Sequence, residues 1–262
     1  MTLARTFRIW SRMAAMSLQV QLSYRMGSVG FLIGKLIRMF FFLAYLFAIF
    51  RRTDRLAGYG LAEITLFFMT FNLIDVTAQI FFRGIYGARR VVQEGDLDTY
   101  LTQPCSPLLR MACSSVDFLD VATLLPVFAL LVRAQSMLPD LTPGRLFVYA
   151  LLVLNGVVIA LAIHIFVGAL AVRTQELENT IWVYRDMMFL GKFPMDIYSR
   201  TLRWMLLTVF PIGVMISFPA KALLGKLPAA GVAYALALAA VLLSSSLWFW
   251  RDALRRYTSV SS

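Results

Sequence analysis

"IWVYRDMMFLGKFPMDIYSRTLRWMLLTVFPIGVMISFPAKALLGKLP", Ile181–Pro228, is the stretch on which the fold turns. It is apolar enough to enter a membrane, but Pro194, Pro211, Pro219 and Pro228 cut it up. A proline removes one helical donor and clashes with the preceding turn. The pieces between these prolines fall short of the ~20 residues that a straight spanning helix needs. Two readings follow. In the first, a fifth span covers about Leu177–Phe193, and two short helices broken at Pro211 then dip into the membrane from outside and return. In the second, Ile181–Tyr198 lies flat on the cytoplasmic face and Leu202–Phe218 is the span. Arg185 and Asp186 weigh on the first, because charges deep in a span are costly unless paired or facing a cavity. The local residues leave both open.

The rest of the chain sets the class. Of its 262 residues, 60% are hydrophobic and 14% aromatic, and the mean hydropathy is +0.75. A soluble domain does not carry so much apolar surface, and the alternation of barrel strands is absent. Lipid forces backbone groups to pair internally, so the expected fold is an all-α polytopic transmembrane helical bundle. Apolar runs place spans at about Val29–Phe50, Leu61–Phe82, Val116–Val132, Leu146–Val172 and Ala229–Trp250, six in all with the fifth. Lys35 and Arg38 interrupt the first span and are expected to snorkel to nearby headgroups. "FRGIYGARR" (Phe82–Arg90) is expected to carry the second helix out of the lipid. No soluble domain or internal repeat is evident.

The formal net charge of +11 raises nucleic acid as a partner, but the charges are scattered over loops and tails. That is the distribution of loops facing anionic lipid, so no nucleic-acid partner is expected. Both termini are basic, which favours an even number of crossings with both in the cytoplasm. "RRTDRLAGYG" (Arg51–Gly60) conflicts with the positive-inside rule, since it would be an external loop with three arginines. The N-terminus lacks the continuous apolar core of a signal peptide. As a helix it places Arg5, Arg8 and Arg12 on one face and Leu3, Phe7, Trp10, Ala14 and Leu18 on the other, the pattern of an interfacial amphipathic helix on membrane lipids. Cys105 and Cys113 are too few for a disulfide framework and are expected to be free thiols.

Little here carries catalysis. There is no GxxxxGK[ST] phosphate loop. His164 is the only histidine, so multi-histidine metal sites are excluded; a lone intramembrane histidine usually bonds a neighbouring helix. Ser244, Ser245 and Ser246 lack a nucleophile setting and suit close helix packing. Asp75, with Asn72 one turn earlier, is either a structural hydrogen bond or a polar spot on a substrate path. Asn72, Asp75, Asn155 and His164 are the candidate path-lining residues. Asp117 and Asp120 are expected at the interface, pairing with Arg110 or Arg90. A lipid-modifying membrane enzyme would need a clustered polar site, and none is visible; a non-transporting membrane anchor is the other alternative.

One polar segment stands out, "VVQEGDLDTYLTQPCSPLLR" (Val91–Arg110). Gly95 is a natural helix stop, Asp96 a good N-cap for a short helix, and Pro104 and Pro107 bar that helix from entering the third span. Leu97, Tyr100 and Leu101 share its apolar face, suited either to a groove on a soluble partner or to resting on lipid.

This segment, "GKFPMDIYSRTLRWMLLTVFPIGVMISFPAKALLG" (Gly191–Gly225), the ending "ALRRYTSVSS" and the basic amphipathic N-terminus, in that arrangement, resemble the bacterial six-span permeases of ABC-2-type ABC transporters. The resemblance covers nearly the whole chain as one permease domain, 1–262. It implies a connecting helix at 1–27, a cytoplasmic coupling segment at 84–110 and a re-entrant helical pair at 194–224, which favours the first topology. It implies that Glu94, Gly95, Asp96, Leu97, Asp98, Tyr100, Leu101 and Pro104 dock on a separate ATP-binding subunit. That partner would bind ATP and Mg, with no cofactor on this chain. A second permease, identical or related, would complete the path, and the family leans toward export across the bacterial inner membrane.

Overall fold

The computed structural model describes residues 3–138, 141–174 and 180–258. Among these residues there is no strand, only an isolated bridge between Leu56 and Tyr59. Helix α1 (Leu3–Ser23) breaks at Tyr24, whose φ of −97° and ψ of 50° are not helical, before α2 (Arg25–Phe50). Helix α3 (Leu61–Phe82) passes through a 3-10 turn, Arg83–Gly87, into α4 (Ala88–Gln93). Two short helices follow, α5 (Asp96–Thr102) and α6 (Pro107–Ala112), then α7 (Phe118–Ser136) and α8 (Pro143–Thr174). The chain ends with α9 (Thr180–Phe189), α10 (Arg200–Thr208), α11 (Phe218–Leu223) and α12 (Ala229–Arg255).

Among the described residues, five helices are long and apolar enough to cross a membrane: Val29–Phe50, Leu61–Gln93, Phe118–Ser136, Pro143–Thr174 and Ala229–Arg255. They coincide with five of the expected spans. The Leu61–Gln93 helix is 78% buried over its most apolar window, against 6% for α2 and 17% for α12. The α3 helix is therefore the central post, apolar all round because it is enclosed, while α2 and α12 are outer walls with free apolar faces. Helix α12 lies along α8 through small residues, Ala235, Ala239 and Ser246, all buried. Asn155 on α8 donates to the Ala235 carbonyl at 3.1 Å.

Over the described residues, the stretch that the first reading takes as the fifth span contains no full-length helix. Arg173, at the end of α8, pairs with Asp252 at the end of α12, whereas Asp196 accepts from Tyr59 in the α2–α3 link. The chain thus passes between opposite ends of the bundle, here the Arg90 end and the Glu63 end. It does so with the ten-residue α9, a 3-10 turn Leu190–Lys192 and extended residues at Phe193–Pro194. At ~1.5, ~2.0 and ~3.3 Å per residue these amount to about 28 Å, close to the hydrocarbon thickness. Pro194 explains the extended exit, since it disfavours helix at Phe193. Residues 175–179, part of the expected span, lie outside the described residues.

The next stretch, a single span in the second reading, is sharply bent. Helix α10 and the segment Gly213–Leu223 meet at 84° across Pro211, with a π-helical turn at Gly213–Ser217 leading into α11. Both ends of this hairpin sit at the Glu63 end: Asp196 pairs with Lys221 at 2.7 Å, and Lys226 with Glu63 at 2.6 Å. Its tip reaches inward. The Met215 carbonyl lies against Gly156, where an added Cβ would come within 2.8 Å of it. Gly156 is about 20 Å along α8 from its start. The loop before the hairpin is held by Arg203, which donates to the carbonyls of Met195, Asp196 and Tyr198 at 3.0, 2.9 and 3.2 Å. Irregular backbone at this depth survives only when so satisfied.

Burial pushes the Asp196 carboxyl up, but hydrogen bonds from Lys221 and Tyr59 and the charges of Lys221 and Arg203 outweigh it, so its pKa is lowered. A lowered folded-state pKa stabilises above the usual aspartate value of about 3.9 and loses that stabilisation as pH falls through the folded value. Asp196→Asn should therefore melt below wild type at neutral pH in detergent, with the gap narrowing as pH falls below about 4; a gap independent of pH would remove Asp196 from the latch.

Candidate functional site

The short cross-helix begins with one conformational requirement. Gly95 has φ +77°, and its N–H closes α4 on the Val92 carbonyl at 3.2 Å. That left-handed position favours glycine. Helix α5 starts immediately after it, so Gly95 occupies the N-cap and Asp96 is the first helical residue, not the expected cap. The carboxylates of Asp96 and Asp98 still lie at the positive end of the helix. Gln103, extended at φ −78° and ψ 147° before Pro104, ends it, as a residue preceding proline must.

The apolar face expected of Leu97, Tyr100 and Leu101 divides. Leu97 is fully buried in a cluster with Val92, Met111, Ile165 and Trp250. It anchors α5 to the chain's own core and offers no surface. Tyr100 is half-buried, with the Arg110 guanidinium 5.3 Å from its ring centre. Leu101 is 44% exposed. Glu94, Asp96 and Pro104 are exposed beside it, while Asp98 lies next to the hydroxyl of Tyr257, beyond α12. The Arg90–Glu94 pair, at 3.8 Å, is solvent-exposed and contributes little. What remains free is an acidic and apolar surface at the Arg90 end.

Helix α1 packs on protein where lipid was expected. Trp10 and Ala14 join Val76, Ile80 and Val116, and the Trp10 ring lies 5.8 Å from that of Phe81. Gln21 holds the start of α7, donating to the Val116 carbonyl at 2.8 Å and accepting from the Phe118 N–H at 3.1 Å. Arg8 and Arg12 face outward as expected. The side chains of Arg5 and Phe7 lie outside the described residues.

A second polar locus is a cleft between α2, α3, α7 and α9, with room for water centres of about 30 Å³, enough for one or two waters. Asp75 meets Arg185 at 3.4 Å and accepts from Gln79 at 2.8 Å. Arg185 also donates to the Tyr86 hydroxyl at 3.1 Å. Asn72 lines the cleft and donates to the Phe68 carbonyl at 2.7 Å. Lys35 does not snorkel to headgroups; it turns inward to Asp120, with Asp117 at 3.9 Å, and Arg83 pairs with Asp117. The expected partners of these acids, Arg90 and Arg110, lie elsewhere. Pairing across helices wins because a charge left unpaired at that depth is costly. Of the four path candidates, Asn72 and Asp75 lie in the cleft. Asn155 binds α12, and His164 is buried, bonded to the Ala160 carbonyl at 2.7 Å among Phe82, Tyr86 and Tyr184.

Three cations of the cleft escaped the sequence reading, Lys35 and Arg38 (there assigned to headgroups) and Lys192. For Lys35 and Arg38 the available signal was a cation in an apolar run without an acid one turn away; Lys192, with Asp196 four residues on, gave no such signal.

The sequence profile of the family described as "ABC-2 family transporter protein" matches residues 36–261. The chain belongs to the ABC-2 transporter family. No curated protein and no solved structure matches it significantly. The ABC-2 chain is thus a multi-pass integral membrane protein and a membrane permease component of an ABC transporter, and membership implies an ATP-binding partner. Helix α1 and the first turns of α2 precede the matched region.

Breaking the Asp75–Arg185 pair tests what holds α9. Asp75→Asn leaves Arg185 uncompensated at 15% side-chain exposure and should cost about 3–5 kcal/mol in detergent unfolding, with most recovered by Asp75→Leu combined with Arg185→Met.

Proposed function

We propose that this ABC-2 chain is the permease subunit of an exporter, paired with a second permease and driven by a separate ATP-binding subunit docked on α5. The observation that carries the reading is the construction of α5. Leu97 fixes the helix in the core while Glu94, Asp96, Leu101 and Pro104 stay free. An exposed short helix rigidly tied to a transmembrane post suits a groove on a soluble partner, and ATP and Mg would reside on that partner. The open faces of α2 and α12 suit a second permease. Export is the direction that the resemblance implies.

Docking to an ATP-binding subunit puts the Arg90 end, and with it both termini, in the cytoplasm of a bacterial inner membrane. Charge alone does not fix this orientation, since Arg51, Arg52 and Arg55 lie at the Glu63 end. The native thiols report it. Cys105 is half-exposed, whereas Cys113 is buried and its thiol is pushed up to about 11 by burial, with the neighbouring Cys105 adding and Arg110 opposing. A membrane-impermeant maleimide should label Cys105 in inverted vesicles and not in intact spheroplasts; the reverse pattern would invert the topology.

The decisive experiment is a mild-detergent pull-down of tagged protein from its native membrane, with captured proteins identified by mass. Wild type should bring down a subunit carrying a Walker motif. The triple variant Glu94→Lys, Asp96→Lys, Leu101→Arg should lose it while remaining folded and inserted. Unchanged capture would sink the α5 assignment, and repeated recovery of wild type alone would favour a non-transporting anchor.

A further inference from the structure

The cleft beside Asp75 carries more positive charge than its own residues neutralise. Lys35, Arg38, Arg185 and Lys192 all line it. Lys35 is matched by Asp120 and Arg185 by Asp75. Arg38 and Lys192 have no carboxylate partner among the described residues. The Lys192 ammonium instead rests over three rings, Phe189 at 4.1 Å, Phe42 at 5.0 Å and Phe71 at 5.6 Å. The Arg38 charge lies near enough to act on it, and the Asp75 carboxylate, already paired with Arg185, acts on it in the opposite sense. Both cations lie within the apolar stretch, Arg38 about 14 Å along the span that starts at Val29 and Lys192 just before the exit at Pro194. A cation at that depth is expensive, aromatic faces compensate it only in part, and two neighbouring cations repel. An anion between them would remove the repulsion and satisfy both, with the planar guanidinium suited to a two-oxygen grip on phosphate or carboxylate.

We propose that this cleft binds the anionic group, a phosphate or carboxylate, of the molecule that the permease moves, with Arg38 and Lys192 as its ligands and the Asp75–Arg185 pair as its floor. The proposal rests on the permease reading and adds to it the chemical class of the substrate. Access fits an amphiphile as well as a soluble anion. Arg38 is exposed on α2, the least buried of the spanning helices. A second copy packed along α2 would not supply the missing charge from that helix, because Arg25–Phe50 contains no acidic residue.

The test uses the purified full chain in detergent, titrated with short-chain phosphatidylglycerol or phosphatidylcholine and read by native mass spectrometry. Wild type should hold phosphatidylglycerol about ten-fold more tightly than phosphatidylcholine. Arg38→Gln with Lys192→Gln should abolish the preference and melt no lower than wild type, since it removes uncompensated charges. Arg38→Lys with Lys192→Arg should retain it, as should Arg251→Gln with Arg255→Gln at the far end of α12. Inorganic phosphate that displaces the lipid marks a site for free anions; phosphate without effect marks a headgroup site. Equal affinity for the two lipids, or a preference that survives Arg38→Gln with Lys192→Gln, overturns the proposal. So does loss of a wild-type dimer in that variant, which would assign the charge to a partner carboxylate. Capture of the ATP-binding subunit is measured on the same samples: retained capture without anion preference overturns this inference alone, whereas no capture by wild type removes the permease reading itself.

Discussion

The contact on which the rest of this structure depends is Asp75 against Arg185, 3.4 Å apart between α3 and α9. Helix α9 has only ten residues, too few to hold a transmembrane position through lipid contact alone. Its charge must be matched, and the match is on the most enclosed helix of the bundle. Once α9 is pinned there, the 3-10 turn that follows carries Lys192 to the rings of Phe42 and Phe71, and Pro194 releases the chain at the Glu63 end. The hairpin of α10 and α11 starts from that point and returns to it, latched by Asp196 to Tyr59 and Lys221.

The same economy of polar groups governs the Arg90 end with the opposite outcome. There water is available, so Asp96 and Glu94 stay exposed around the start of α5. Position is supplied by one apolar side chain, Leu97, and by the left-handed Gly95 that turns the chain between α4 and α5. The exposed surface of α5 can be acidic and weakly paired because its anchor, Leu97, lies in the core.

Much of this was legible in the sequence. Five helices follow from uninterrupted apolar runs and need no tertiary information; Gly95, Pro104 and Pro107 mark the ends of α5 because backbone geometry is a local property. The proline-broken stretch was legible as broken, and the 84° bend across Pro211 falls at one of its prolines. What could not be read was direction around each helix. Periodicity gives Leu97, Tyr100 and Leu101 one face, but does not say that the first of them is swallowed by Trp250 and Ile165 from distant helices. Lys35 could snorkel or turn inward on local grounds alike; the choice depends on Asp120, 85 residues away. Trp10 and Ala14 form an apolar stripe that lipid or protein covers equally well, and the position of α7 decides it.

The two functional loci are joined by a single continuous element. From the cleft, α3 runs past Asp75 into the 3-10 turn Arg83–Gly87, then through α4 to Gly95 and α5. Arg185 grips both ends of the first stage, Asp75 on α3 and Tyr86 in the turn. A short 3-10 segment inside a long helix is a natural place for bending, and the backbone of α6 closes against Gly84 so tightly that no side chain fits there. A displacement of α5 therefore acts first on α4 and α6, then on the turn that bears Tyr86, and through Arg185 on the floor of the cleft. On the proposed docking at α5, the guanidinium of Arg185 would be the point at which movement at the membrane surface reaches the charges that line the cleft.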